Sequence, residues 1–380
     1  MKKVIFLSFF VFLGTHVFSQ DIAGNGGGTL HIEDTTLNRP QTPAKPYPYI
    51  EEEVTILNKK DNISLSGTLT LPGRDSIYPA VILIAGSGPN DRDETIFGHK
   101  PFLVLSDYLT RNGFAVLRYD KRGVGRSTGD YKKATTADFA SDAKEAIAYL
   151  QTRKEIDKNH IGLIGHSEGG VVASMVASES KDVKFIVLLA SMGVKGNELL
   201  SVQNITELKR QNVDPETIVG LIPHLKDALK KSQEWESTEN DSVSIQNKLS
   251  KVWSQLPTLF KLRTKKENFI RSTYNAMISP WLRQFLSIDP ANYLEKTSCP
   301  VLAINGEKDT QVLADKNLTA IETALEKGGN NQYTIKKYPN LNHLFQVCET
   351  GDIDEYAKIE QTISPEVLED ITKWVKAQLK

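Results

Sequence analysis

From Val54 onward the chain alternates between two hydrophobic rhythms. Val54-Thr55-Ile56-Leu57 and Leu65 to Leu71 flank the turn residues Asp61-Asn62 and predict a β-hairpin. Unbroken apolar runs follow at Ala80–Ile84, Phe114–Leu117, Ile161–Ile164 and Phe185–Leu189. Between them, Phe102–Arg111, Thr136–Gln151 and Glu168–Ser178 carry apolar residues every three to four positions. Strands that are apolar on both faces and alternate with amphipathic helices predict a mostly parallel sheet with helices packed against it. The rhythm stops near Ser191 and resumes near Asp289. The stretch between is rich in Lys, Glu, Gln and Asn, with Leu, Ile and Trp at helical spacing. It far exceeds an ordinary connection of roughly 4–6 residues. It is expected to be a helical lid inserted after the sixth strand. Strands at Pro300–Asn305 and Tyr333–Tyr338 and helices at Ala314–Lys327 and Pro365–Leu379 complete an eight-stranded α/β fold. The expected organisation is therefore a core over 51–190 and 291–380, interrupted by the insertion over 191–290.

The first 50 residues follow neither rhythm. Lys2 and Lys3 precede a mostly apolar run from Val4 to Leu13, too short to span a bilayer of about 30 Å as a helix. With Val17 and Ser19 at the −3 and −1 positions, residues 1–19 are expected to be a signal peptide cleaved after Ser19. No other apolar run approaches 18 residues, so no stable membrane insertion is expected once the signal is removed. The product is expected to be periplasmic or extracellular. Residues 20–50 hold the glycines 24 and 26–28 and the prolines 40, 43, 46 and 48, a flexible-linker composition.

Composition narrows the function. The chain has 380 residues, 39% of them hydrophobic, enough for a core of roughly 250–300 residues plus an insertion. A net charge of −1 argues against a nucleic-acid partner. The basic run Lys261-Leu262-Arg263-Thr264-Lys265-Lys266 has acidic residues on both sides and is expected to be a solvated helix face. Export permits a disulfide between the two cysteines, Cys299 and Cys348. They are expected at opposite ends of the strands, farther apart than the roughly 7 Å a bridge tolerates.

The chemistry centres on Gly165-His166-Ser167-Glu168-Gly169. A Gly-x-Ser-x-Gly pattern arises by chance in about one chain in ten of this length. Here, however, it joins an expected strand to an expected helix, the context of a nucleophile elbow. Serine needs an adjacent base. Of seven histidines, His343 lies a short loop beyond the strand Tyr333–Tyr338, where it can reach Ser167 across the carboxyl edge of the sheet. His166 is expected to point away. An acid must orient the imidazole. Asp309, after the strand at Val301, is the first choice, and Glu307 competes with it. Backbone N–H groups of Glu168 and of Ser87, in Gly86-Ser87-Gly88-Pro89, are expected to form the oxyanion hole. Asp120 and Arg122, in Asp120-Lys121-Arg122-Gly123, are expected to tie that loop to the oxyanion segment. Asp91, Arg92, Asp93 and Glu94 are expected to be ion-pair scaffolding, with substrate binding as the alternative. No metal-ligand spacing is recognisable, and the chemistry requires no cofactor.

These motifs bring a resemblance into view. Gly86-Ser87-Gly88-Pro89 with Arg92-Asp93-Glu94, Arg118-Tyr119-Asp120 with Arg122-Gly123, Gly165 to Gly170, Ser279-Pro280-Trp281 with Asp289-Pro290, and Gly306 to Asp309 run in order. Over about residues 50–380 the chain resembles the α/β-hydrolase superfamily, in its bacterial secreted esterase branch (dienelactone-hydrolase-like or serine-aminopeptidase-like). The resemblance implies hydrolysis of carboxylic esters. Many relatives carry His-Gly before the oxyanion residue, where this chain has Ala85-Gly86. The expected substrate is a small-molecule ester. The alternative is a short peptide cut by an exopeptidase on the same triad, its terminus held by a lid carboxylate among Glu207, Glu234, Glu236 and Glu239. A non-catalytic binding module is the minor alternative, opposed by the complete Ser-Asp-His set.

Overall fold

The computed structural model describes residues 38–262 and 264–379. The expected signal peptide and most of the expected linker lie outside these residues. Residues 38–49 fall within the span expected to be a flexible linker, but they are anchored. The Arg39 guanidinium donates to the carbonyls of Phe97 (2.8 Å), Ala357 (2.9 Å) and Ile359 (3.0 Å). Gln41 donates to the Ile363 carbonyl at 2.7 Å. These long-range bonds to backbone carbonyls give the Pro-rich segment partners that its composition does not reveal.

The strands are β1 (Ile50–Asn58), β2 (Ile63–Leu71), β3 (Tyr78–Ile84), β4 (Ala115–Tyr119), β5 (Ile156–His166), β6 (Val183–Leu189), β7 (Val301–Gly306) and β8 (Tyr333–Tyr338). They form one sheet in the order β1-β2-β4-β3-β5-β6-β7-β8. The β1–β2 and β2–β4 pairs are antiparallel and the remaining pairs parallel. This is the expected eight-stranded, mostly parallel α/β sheet. The hairpin strands run longer than their apolar cores, because β1 alternates strictly, with Val54, Ile56 and Asn58 inward. Asn62 supplies the positive φ of the turn.

The apolar runs became central strands because both of their faces are covered. Val81 and Leu83 join Phe102, Leu105, Val187, Ile304, Leu368 and Ile371 in one cluster. It packs helices α1 (Pro101–Arg111) and α13 (Pro365–Ala377) against one face of the sheet. Ala80, Ile82 and Ile84, the alternate residues of β3, are equally buried. Helices α2 (Thr136–Thr152) and α3 (Glu168–Ala177) pack against β3 and β5. Gly162 of β5 lets the adjacent strand pack closely, since a Cβ there would lie 2.1 Å from the ring of Phe185 on β6. Gly162→Ala is expected to cost about 1–3 kcal/mol through overpacking, read as a lower denaturant midpoint with an unchanged slope.

The chain divides into two compact units, and the smaller one comprises residues 195–288 in the described part. It lies between β6 and β7 in sequence and is helical: α4 (Gly196–Arg210), α5 (Pro215–Gln233), α6 (Glu239–Gln255), α7 (Thr258–Lys261), α8 (Lys266–Met277) and α9 (Pro280–Ser287). Leu221, Leu225 and Leu229 of α5 and Ile245, Leu249 and Val252 of α6 are buried at helical spacing. Trp253 packs on Phe269 at 5.3 Å and Trp281 stacks on Phe285 at 5.0 Å, so these aromatics build the unit's own interior. Glu207 pairs with Arg210 at 2.7 Å. Within the basic run, Leu262, Lys265 and Lys266 are exposed, and Arg263 lies outside the described residues. The larger unit is completed by α10 (Ala291–Leu294), α11 (Ala314–Lys327) and α12 (Ile353–Tyr356). No described helix is long and apolar enough to cross a membrane.

Candidate active site

Strand β5 ends at His166, α3 starts at Glu168, and Ser167 alone makes the turn. Its backbone sits at φ 53°, ψ −118°, a region costly for a residue with a Cβ. Two hydrogen bonds hold it there, from its N–H to the Leu189 carbonyl (2.8 Å) and from the Gly170 N–H to its own carbonyl (3.0 Å). The flanking glycines are dictated by contact. A Cβ on Gly165 would lie 2.1 Å from the Gly169 carbonyl oxygen, and one on Gly169 would lie 2.0 Å from the Ile84 oxygen. The Ser167 hydroxyl makes no capping bond to the helix it precedes, so this is no ordinary N-cap serine.

Asp309 and His343 reach one another from separate loops beyond β7 and β8. His343 Nδ1 lies 2.7 Å from Asp309 Oδ2, with both side chains buried. Asp309 Oδ1 accepts the N–H groups of Gln311 and Val312, each at 2.8 Å. The carboxylate is thereby fixed, with one oxygen turned to the ring. A carboxylate facing Nδ1 assigns the proton to that nitrogen and leaves the Nε2 lone pair to act as base. Glu307 is exposed, and its N–H bonds the Tyr338 carbonyl at 2.8 Å. The loop carrying His343 is ordered by Asn342, whose Oδ1 accepts the N–H groups of Leu344 and Gln346 at 3.0 Å each.

His166 takes a place in the site that its position beside the serine does not disclose. It was expected to point away; instead its ring lies 4.7 Å from that of His343. Its Nε2 donates to the His343 carbonyl (3.0 Å), and its Nδ1 faces Glu94 Oε1 (3.0 Å). Burial alone would depress its pKa. The charge and hydrogen bond of Glu94, the His343 carbonyl and Asp309 outweigh that and hold it above the ordinary 6.5. The protonated ring therefore stabilises the fold fully below about pH 6.5, and that contribution is lost as pH rises through the raised value. Glu94→Gln keeps an acceptor but removes the charge. The melting-temperature gap between wild type and this variant is expected to be widest below about pH 6.5 and to narrow at higher pH; a pH-independent gap contradicts this.

Arg92, Asp93 and Glu94 are ion-paired scaffolding, as expected, while Asp91 accepts the N–H groups of Asp93 (3.1 Å) and Thr95 (2.9 Å) within its own turn. Arg92 pairs with Asp120 at 2.9 Å, and Asp93 pairs with the buried Arg118. Asp120 thus ties its loop to the oxyanion segment. Arg122 does not: it binds Asp142 (2.8 Å) and Asp61 (2.7 Å), joining α2 to the hairpin turn instead. Its guanidinium reached two carboxylates that sequence spacing does not connect.

The Gly86–Ser87 segment lies over the serine, since a Cβ on Gly86 would be 3.2 Å from Ser167 Cβ. The Gly86 N–H is consumed by Glu94 Oε1 at 2.6 Å. The Gly86 carbonyl accepts from Asn90 Nδ2 (2.8 Å) and Lys121 Nζ (2.5 Å). The Ser87 N–H has no acceptor among the described residues. Glu168 occupies the first position of α3, where helix N–H groups point out of the helix. Its carboxylate accepts the Thr136 hydroxyl at 2.6 Å and faces Lys121 at 3.6 Å. Both cysteines are free, and burial pushes the Cys299 thiol up to about 12, which leaves it unreactive. Among the described residues, no group of three His, Cys, Asp or Glu is placed to hold a metal.

Comparisons with known proteins agree with this architecture. Over 331 residues the chain is 24% identical to the esterase EstD of Thermotoga maritima, a match spanning 87% of this chain and 68% of that one. An uncharacterised 31.7 kDa protein of Escherichia coli is 25% identical over 54% of this chain and 66% of its own length. Among solved structures, the esterase Pf2001 of Pyrococcus furiosus aligns with a TM-score of 0.53 at 18% identity, over 90% of this chain and 97% of that one. The α/β hydrolase GrgF of a Penicillium species aligns at 0.51 and 19% identity, over 87% of this chain and 99% of that one. These likenesses show a shared fold. Residues 101–347 match the family model described as serine aminopeptidase, S33, and the chain belongs to that family of α/β-hydrolase enzymes.

Proposed function

We propose that the protein is a serine hydrolase that cleaves carboxylic esters through an acyl-enzyme on Ser167, Asp309 and His343. The observation that carries the reading is a strained, half-buried serine at the turn between β5 and α3 together with a buried Asp309–His343 hydrogen bond of 2.7 Å, in the chain order Ser, Asp, His. His343 Nε2 takes the Ser167 proton as Oγ attacks the ester carbonyl. The N–H groups of Ser87 and Glu168 receive the oxyanion. The tetrahedral adduct collapses as the protonated His343 gives its proton to the departing alcohol. Water, activated by the same histidine, then releases the acid.

A second reading, removal of an amino-terminal residue from a short peptide, is favoured by the description of the family model. Such a site needs a carboxylate for the substrate's ammonium group. Beside Ser167, Glu94 and Glu168 are buried and engaged with His166 and Lys121. This weighs against these two carboxylates in that role and leaves the aminopeptidase reading to the carboxylates of residues 191–290. A panel of p-nitrophenyl esters beside aminoacyl-p-nitroanilides separates the two. Faster turnover of the anilides overturns the ester assignment. Export is proposed from Lys2, Lys3 and the apolar run to Leu13; amino-terminal sequencing of the secreted protein should begin at Gln20.

A further inference from the structure

Lys121 is a buried lysine that the triad chemistry does not use. Its side chain is 5% exposed, and its ammonium sits over the Phe139 ring at 4.1 Å. Burial lowers its pKa, while Glu168 and Glu94 oppose that shift. A lysine is placed so deep at a cost, and its contacts indicate what it does there. Its shortest contact is with the Gly86 carbonyl at 2.5 Å, well inside its 3.6 Å separation from Glu168. That carbonyl belongs to the same peptide unit as the Ser87 N–H. In a trans peptide the C=O and N–H point in opposite directions, so whatever fixes one fixes the other.

We infer that Lys121 is a positioning residue for the oxyanion site: bonded to the Gly86 carbonyl, it orients and polarises the Gly86–Ser87 peptide so that the Ser87 N–H is a stronger donor to the anion formed at Ser167. The inference rests on the oxyanion reading of Ser87 given above. Three further observations support it. The neighbouring peptide is pinned on its N–H side by the opposite charge, Glu94 at 2.6 Å from the Gly86 nitrogen. The Gly86 segment is therefore clamped between a carboxylate and an ammonium. Asn90 adds a neutral donor to the same carbonyl, and a carbonyl receiving two donors, one of them charged, polarises its peptide more than a single bond does. The Ser87 N–H has no acceptor among the described residues, so the donor that this polarisation strengthens is open to a substrate oxygen. The position of Lys121 between oxyanion loop and elbow also lets it meet Glu168, which follows the nucleophile.

The test compares Lys121→Met with the double variant Lys121→Met/Glu168→Gln, in the full chain with p-nitrophenyl acetate. The single variant is expected to lose about 10–100-fold in both kcat and kcat/KM, with KM within about twofold, because the interaction exists only when charge develops on the substrate oxygen. The double variant removes the carboxylate that the first change leaves without its cation. It is expected to regain melting temperature but to stay equally slow. Wild-type kcat in the single variant overturns the inference. So does recovery of kcat in the double variant, which would make Lys121 only the counter-charge of Glu168. A wild type that neither turns over the ester nor takes a fluorophosphonate label overturns the underlying hydrolase reading, and this inference with it.

Discussion

Ser167→Ala is expected to lower ester turnover by a factor on the order of 10⁵ or more while leaving the fold intact. The loss is large because the hydroxyl oxygen is the atom that becomes acylated, and no neighbouring group replaces it. The fold should survive because the Ser167 hydroxyl caps nothing, and its backbone is held by bonds that alanine keeps, to Leu189 and from Gly170. Melting temperature is therefore the control. A matched loss of stability and activity would locate the effect in folding instead. His343→Ala should be of similar size, and the double variant no worse than either single change, since the residues act as one unit.

Asp309→Asn is the second large effect, expected at roughly 10³–10⁴ in kcat. The two Asp309 oxygens have different duties. Oδ1 accepts the N–H groups of Gln311 and Val312, and Oδ2 faces His343 Nδ1. An asparagine must leave its carbonyl oxygen on the two backbone donors, because its amide nitrogen cannot accept from them. The amide NH₂ is then turned toward His343 and donates to Nδ1. The proton moves to Nε2, and the ring can no longer accept the serine proton. Glu307→Gln, at the exposed alternative carboxylate, should leave kcat unchanged. Steady-state kinetics on p-nitrophenyl butyrate distinguishes the two positions.

These expectations rest on features that differ in how far the sequence discloses them. The parallel strands were legible because burial on both faces forces unbroken apolar runs, as in Ile161–Ile164 and Val301–Ile304. The elbow was legible because a five-residue pattern fell between a strand and a helix. Asp309 and His343 followed from their places after β7 and β8. The Glu94–His166 pair was not legible, since the two residues are 72 apart in sequence and meet only because β3 lies beside β5. Arg122 found Asp142 and Asp61, and Lys121 found the Gly86 carbonyl, for the same reason. A charged side chain's partner is set by strand order, and local pattern does not carry strand order. The anchoring of residues 38–49 was hidden likewise, because Arg39 binds backbone carbonyls that any residue type supplies.

The central claim is that Ser167 is the nucleophile. It is tested most directly by reacting the protein with a fluorophosphonate and mapping the adduct by peptide mass spectrometry. The account predicts one phosphonyl group per chain, on Ser167, absent from Ser167→Ala and strongly slowed in His343→Ala. An unlabelled wild type, or a label on any other residue that persists in Ser167→Ala, would contradict it.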